Sequence, residues 1–122
     1  MKIRINGNSV RLRLSQSEVI KFVNEGLVSS NCNFGTGILT YQIKKGEFPS
    51  IFANMENQTI SINIPNSLAA NWDTDFRVGF DNMDSTGLYI LVEKDFQCLK
   101  PRTNEDESDL FPNPQSILNS YD

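Results

Sequence analysis

The 122-residue sequence predicts an α+β protein built mainly from antiparallel β-strands. Polar and apolar residues alternate in many short segments, as in strands with one buried face. Turn residues such as Gly, Asn and Asp separate these segments, and only two segments carry helix-start signals. We therefore expect about eight short strands, in a curled sheet or a barrel, with two short helices.

A β-hairpin is predicted over residues 2–14. Its apolar residues alternate with its cations, so one face is apolar and the other is basic. The Asn6-Gly7 pair between the two strands is a favoured two-residue turn, because both residues tolerate positive φ. The basic face consists of Lys2, Arg4, Arg11 and Arg13.

Two helices and six further strands follow the hairpin. Ser15 and Glu18 form a capping box that predicts a helix start, and Gly26 is a suitable helix end. A second, shorter helix is expected near 66–72, after Pro65. The remaining strand candidates are 27–32, 38–44, 51–55, 58–64, 76–80 and 88–93. The aromatic residues expected in the core are Phe22, Phe52, Trp72, Phe76, Phe80, Tyr89 and Phe96.

A shift of fifty residues aligns the first half of the sequence with the second. The alternating segment 9–14 falls on 59–64, each followed by a helix start, and the glycine-containing turns also coincide. This suggests an internal strand–strand–helix–strand–strand duplication, with quasi-repeats 1–49 and 50–99. We expect residues 1–99 to form one globular domain. Residues 100–122 are rich in acid and proline and are expected to be a tail packed on its surface.

Composition narrows the function classes. The chain has no histidine, which excludes Ser-His-Asp and Cys-His nucleophile systems. Cys32 and Cys98 match no metal-binding spacing and are expected to be reduced. No apolar run is long enough for a transmembrane helix, and the amino-terminal residues do not resemble a secretory signal. We therefore expect a cytoplasmic protein.

Charge is unevenly distributed along the chain. Residues 1–45 carry a net charge of +5 and residues 46–122 a net charge of −9. The basic hairpin face is therefore an anion-binding candidate, since arginine donates bidentate hydrogen bonds to phosphate. The alternatives are a solvated face, an interior barrel surface, or a face covered by the protein's own acids.

The covering acids would come from the tail, whose candidates are Glu105, Asp106, Glu107 and Asp109. Leu110 and Phe111 would anchor the tail, and the acids before them would compete with an anionic ligand for the basic face. A calcium loop starting at Asn104 does not fit, because its sixth position is Asp109 rather than Gly and its twelfth is Gln115 rather than Glu. We expect no metal, no cofactor and no catalytic residue.

Three stretches together resemble a family of small, uncharacterised bacterial proteins: residues 1–19, 91–99 and 105–114. This resemblance implies a bacterial protein and no particular chemistry. Residues 2–28 also resemble the swapped-hairpin DNA-binding domains of the AbrB and MazE type. In that case the DNA-contacting positions would be Arg4, Asn8, Arg11 and Arg13. The expected architecture is similar to that of triphosphate tunnel enzymes, but their metal-binding glutamates are absent from the first strand.

The sequence thus favours a small non-catalytic binding or accessory module, whose partner is another protein or a small anion. Its oligomeric state is open between monomer and homodimer. One alternative is a nucleic-acid-binding regulator that uses the basic hairpin. The other is a phosphate-ester or polyphosphate hydrolase, with Glu56 or Glu93 facing the arginines inside a barrel.

Overall fold

Eight strands and two helices make up the fold in a computed structural model that describes residues 1–99 and 105–114. The elements are β1 (Lys2–Ile5), β2 (Ser9–Leu14), α1 (Gln16–Glu25), β3 (Leu27–Asn33), β4 (Ile38–Gly46), β5 (Phe52–Glu56), β6 (Thr59–Pro65), α2 (Asn66–Ala69), β7 (Gly79–Met83) and β8 (Tyr89–Lys94). They confirm the predicted α+β class. Within the described ranges, no helix is long and apolar enough to cross a membrane.

The strands form two four-stranded mixed sheets, with the orders β1-β2-β8-β7 and β3-β4-β6-β5. The four hairpin pairs are antiparallel, but β2 pairs with β8, and β4 with β6, in parallel. The expected single curled sheet or barrel is therefore replaced by two sheets, and the described strands do not close into a barrel. The reason is long-range pairing, since a hairpin pattern in the sequence does not specify which hairpin lies beside which.

The core lies between the sheets and the helices. Leu12 and Ile90 from the first sheet and Ile43 and Ile62 from the second belong to one buried cluster. Trp72 completes it in a T-shaped contact with Phe22 of α1, at a ring-centroid distance of 6.1 Å. One core therefore joins both sheets to α1.

The positions of the first hairpin and the first helix agree closely with those predicted from neighbouring residues in the sequence. Glu18 accepts hydrogen bonds from the backbone N–H and hydroxyl of Ser15, and α1 ends before Gly26 in the left-handed conformation. The hairpin turn lies one residue later than expected. Asn6 and Ser9 exchange backbone hydrogen bonds, so the central residues are Gly7 and Asn8. Gly7 has a φ of 55°, which suits the first central position of such a turn.

The predicted strand 76–80 is wrong in position. The strand is Gly79–Met83, and Phe76, expected in the core, is fully exposed. The reason is local: Arg77 donates hydrogen bonds to Asp75 and to the carbonyl oxygens of Leu68 and Ala70. These bonds hold residues 75–77 in a loop around the end of α2.

Both halves have the order strand–strand–helix–strand–strand, yet an ungapped shift of fifty does not hold throughout. It maps the pair Ile3–Leu12 onto Ala53–Ile62. In the second hairpins, however, Ser29 faces Gln42 whereas Gly79 faces Glu93, which is one residue out of step. The common origin of the halves stays a prediction.

Candidate functional site: a basic strand face

The basic residues predicted to share a face lie side by side on the outer surface of β1 and β2. Lys2 lies opposite Arg13, and Arg4 opposite Arg11, in the antiparallel register. They face outwards because the alternate residues of β2, such as Leu12, are buried in the core. The cations, together with Ile3, line a surface pocket of about 200 Å³. The structure thus brings all four predicted anion-binding candidates together.

Glu93 of β8 forms ion pairs with both Arg11 and Arg13. Its Oε1 lies 2.9 Å from Nε of Arg13 and 3.7 Å from Nε of Arg11. The parallel pairing of β2 with β8 places Glu93 directly beside Arg13. Glu93 accepts a hydrogen bond from Nε of Arg13, and the terminal Nη groups of Arg11 and Arg13 donate no hydrogen bond to any described residue. Two guanidinium groups therefore keep bidentate donor edges for an anion.

Lys2 is held by two acids instead. Its Nζ lies 3.0 Å from Oδ2 of Asp95 and 3.5 Å from Oε2 of Glu105. The hydrogen bond to Asp95 raises the pKa of Lys2, with smaller contributions from Glu105. Lys2 is thus the one cation of the face that forms an ion pair with residues 105–109 in the described part of the chain.

Arg4 differs from its neighbours. Its side chain is exposed, and it forms no ion pair with any residue in the ranges 1–99 and 105–114. It lies directly opposite another arginine, and like charges at this distance destabilise a strand pair. Arg4 is therefore a cation whose position costs stability and which has no ion-pair partner in the described part of the chain.

The remaining acidic candidates form no ion pair with the basic face within the described residues, although Asp106 and Asp109 line a surface pocket together with Lys2 and Arg13. Asp109 binds the amino-terminal end of α1: its carboxylate accepts hydrogen bonds from the hydroxyl and the N–H of Ser17 at 2.5 and 3.3 Å. The hydroxyl bond lowers the pKa of Asp109. Asp106 accepts a hydrogen bond from the N–H of Ser108, which lowers its pKa. One of these acids therefore stabilises a helix end, and the other a local turn.

Glu107 and the apolar anchors fix this segment to residues 95–98. Glu107 accepts a hydrogen bond from the N–H of Cys98 at 2.8 Å, while its second carboxylate oxygen is buried and has no hydrogen-bond partner among the described residues. Phe111 forms an isolated parallel bridge with Phe96, and the two rings are 5.9 Å apart. Leu110 is buried. Leu110 and Phe111 thus make the kind of contacts expected of anchoring residues. Residues 100–104 and 115–122 of the predicted tail lie outside the described residues.

Sequence reasoning missed Lys94 as a structural residue. It ends β8, its side chain is buried, and its Nζ donates to the carbonyl oxygen of Asp75 at 2.9 Å. The ammonium lies 5.2 Å from the ring of Phe111 and 5.9 Å from that of Trp72. Burial lowers the pKa of Lys94. The signal was present, because alternation from Ile90 places Lys94 on the inward face of β8.

The hydrolase alternative required Glu56 or Glu93 to face the arginines inside a barrel, and only part of this geometry is present. Glu93 does face two arginines, but on the outer surface of the first sheet rather than inside a barrel. Glu56 is exposed at the end of β5. The inner positions beside Glu93 are occupied by core residues such as Val92. The basic face is therefore an open surface rather than an enclosed reaction chamber.

A family model matches residues 1–115 of the 122-residue chain, a span that includes every described residue. The protein belongs to a family of unknown function, DUF7009. This confirms the resemblance to an uncharacterised family. No curated protein and no solved structure matches the chain. The family assigns no chemistry to the basic face, and the likeness to swapped-hairpin DNA-binding domains stays a prediction.

Proposed function

We propose that this protein is a non-catalytic binding module of the bacterial cytoplasm that holds an anionic, phosphate-bearing ligand on its basic strand face. The observation that carries the proposal is the pairing of cation with cation across the β1–β2 hairpin. Stability alone favours unlike charges at facing positions. A face that places Arg4 opposite Arg11 and Lys2 opposite Arg13 therefore has an arrangement suited to an external anion.

The donor geometry supports a phosphate group. Glu93 pairs with the Nε atoms of Arg11 and Arg13, and the Nη groups of both arginines donate no hydrogen bond to a described residue, so they are available to a ligand. Arg4 adds a third guanidinium without an ion-pair partner in the described ranges. Phosphate oxygens accept bidentate hydrogen bonds from arginine with good geometry, and such bonds are stronger than those between neutral groups.

The test is fluorescence anisotropy with a labelled DNA duplex at several salt concentrations, with unlabelled inorganic triphosphate as competitor. We expect binding that weakens as salt rises, because bound phosphates release counterions. The double variant R4Q/R11Q should bind at least about tenfold more weakly than the wild type, since it removes two charge-assisted contacts. Competition by triphosphate would show that the face recognises phosphate rather than a DNA helix.

A matched control removes the same charge elsewhere. K21Q/K44Q changes two lysines outside the basic face, on α1 and β4, and should bind the duplex nearly as well as the wild type. Equal losses in both double variants would indicate nonspecific attraction by net charge. Absence of duplex binding by the wild type at low salt would overturn the proposal.

A further inference from the structure

The two sheets are closed by packed side chains at one end and open at the other. β2 and β6 each run from a hairpin turn into a helix, so the helices lie at the end opposite to these turns. At the helix end, Phe22 and Trp72 are fully buried. At the turn end, Ile5 and Met55 are 62% and 73% exposed.

Register shows that these exposed side chains belong to the inward-facing rows. Ile5 is paired with Val10, a core residue, and Met55 with Ile60, which packs against the core. An inward-facing position normally has another layer over it, because one face of a sheet must be buried. Ile5 and Met55 have no such layer within the described chain.

Two surface hollows flank Met55. One, of about 310 Å³, has an apolar floor that includes Val10, Ile60 and Leu88. The other, of about 280 Å³, lies towards Phe34 and Ile38 of the β3–β4 hairpin. Both are lined by Met55, and neither is lined by any charged residue. We call this continuous surface the open end.

We propose that the open end is covered by the same surface of a second copy of this chain, in a twofold-symmetric dimer. The open end carries protruding apolar side chains, Met55 and Phe34, beside apolar hollows. A twofold interface needs such a self-complementary surface, since each copy supplies both the knob and the hollow. Phe34 is 66% exposed, which leaves a large apolar area to bury.

The charge distribution favours a second copy over a charged partner. Two copies that meet at the open end bring no like charges of its lining into contact, so only the longer-range repulsion of the net charge of −4 opposes their association. The linings of both hollows are uncharged, and their polar members are small or amide groups such as Ser9, Asn54 and Gln58. Interface centres are likewise depleted in charge and enriched in aromatic residues and methionine.

Sedimentation velocity over a concentration series of the full chain tests this proposal. We expect a reversible monomer–dimer equilibrium that added salt strengthens, because salt screens the repulsion between the two acidic chains. M55E and I5E should each raise the dimer dissociation constant by at least about tenfold, as expected for a charge buried at an interface centre. The control I20E adds the same charge on α1, at the helix end, and should dimerise as the wild type does.

Circular dichroism of each variant would establish that it is folded. A dilution series of methyl NMR spectra of the wild-type protein adds a readout that needs no substitution: signals of Ile5 and Met55 should shift with concentration. A wild type that stays monomeric at every concentration overturns the proposal. It does so even if the open end binds some other apolar molecule. A dimer whose dissociation constant is unchanged in I5E and M55E also overturns it. The same holds if the concentration-dependent NMR shifts occur in residues away from the open end.

Discussion

Arg4 in β1 lies directly opposite Arg11 in β2, on the outer face of the hairpin. This pairing has opposite effects on folding stability and on the proposed anion binding. Repulsion between them weakens the hairpin, while their combined positive charge attracts an anion. The two quantities can be measured separately.

Replacing Arg4 by Gln should stabilise the protein while weakening anion binding. We expect the free energy of unfolding to rise by about 0.2–1 kcal/mol, because the variant removes a like-charge pair and breaks no ion pair of the described residues. Urea unfolding at low salt measures this change, and it should shrink at high salt. K21Q, on the exposed face of α1, should change stability less. A loss of stability in R4Q would mean that Arg4 has a structural role.

Replacing Glu93 by Gln should strengthen anion binding. The carboxylate of Glu93 forms ion pairs with both Arg11 and Arg13, so its neutralisation removes a competitor. The increase in duplex affinity should be about three- to tenfold at low salt, since one charge is changed beside the site. E25Q, at the end of α1, makes the same change of net charge at a distance and should have less effect. A weaker E93Q complex would show that Glu93 acts mainly by orienting the arginines.

Asp109 should make the docking of residues 105–111 depend on pH. Its pKa is lowered below the ordinary value of 3.8 by the hydroxyl of Ser17, so its contribution to docking is present above that value. The contribution is lost as the pH falls through the lower pKa of the folded state. NMR should show the Ser17 amide signal moving in this acidic range, and D109N should lack that movement.

The matched variant for this titration is D106N. Asp106 also has a lowered pKa, but its hydrogen bond to Ser108 lies within the segment. D106N should therefore retain the acid-dependent shift of Ser17. A Ser17 titration unchanged in D109N would show that Asp109 does not hold the segment on α1.

Gly79 should tolerate no side chain. A Cβ atom at this position would lie 2.0 Å from the carbonyl oxygen of Val92, which is backbone of the adjacent strand β8. G79A should therefore lower the free energy of unfolding by at least about 2 kcal/mol, because β7 and β8 must separate. G37A is the control, since its Cβ would meet only the Gln58 side chain at 3.6 Å. Similar midpoints of thermal unfolding for both variants would contradict this prediction.

The segments that the sequence predicted best depend on neighbouring residues. The start of α1 follows from Ser15 and Glu18, which interact within one helical turn, and its end follows from Gly26. Alternation along β1 and β2 predicted that the four cations share a face, because side-chain direction in a strand has a period of two. Phe76 was misplaced because Arg77 forms hydrogen bonds with carbonyl groups seven and nine residues earlier, which no periodicity records.

By itself, the sequence determined the α+β class, the first hairpin, α1 and the composition of the basic face, since each depends on local spacing and turn chemistry. The tertiary structure decided that β2 lies beside β8, which brings Glu93 to Arg11 and Arg13. It also decided that Asp109 binds α1 while Glu105 reaches Lys2. These contacts join residues about eighty to one hundred positions apart. Their choice depends on how the hairpins pack around the shared core, and the spacing of charges along the chain carries no record of that packing.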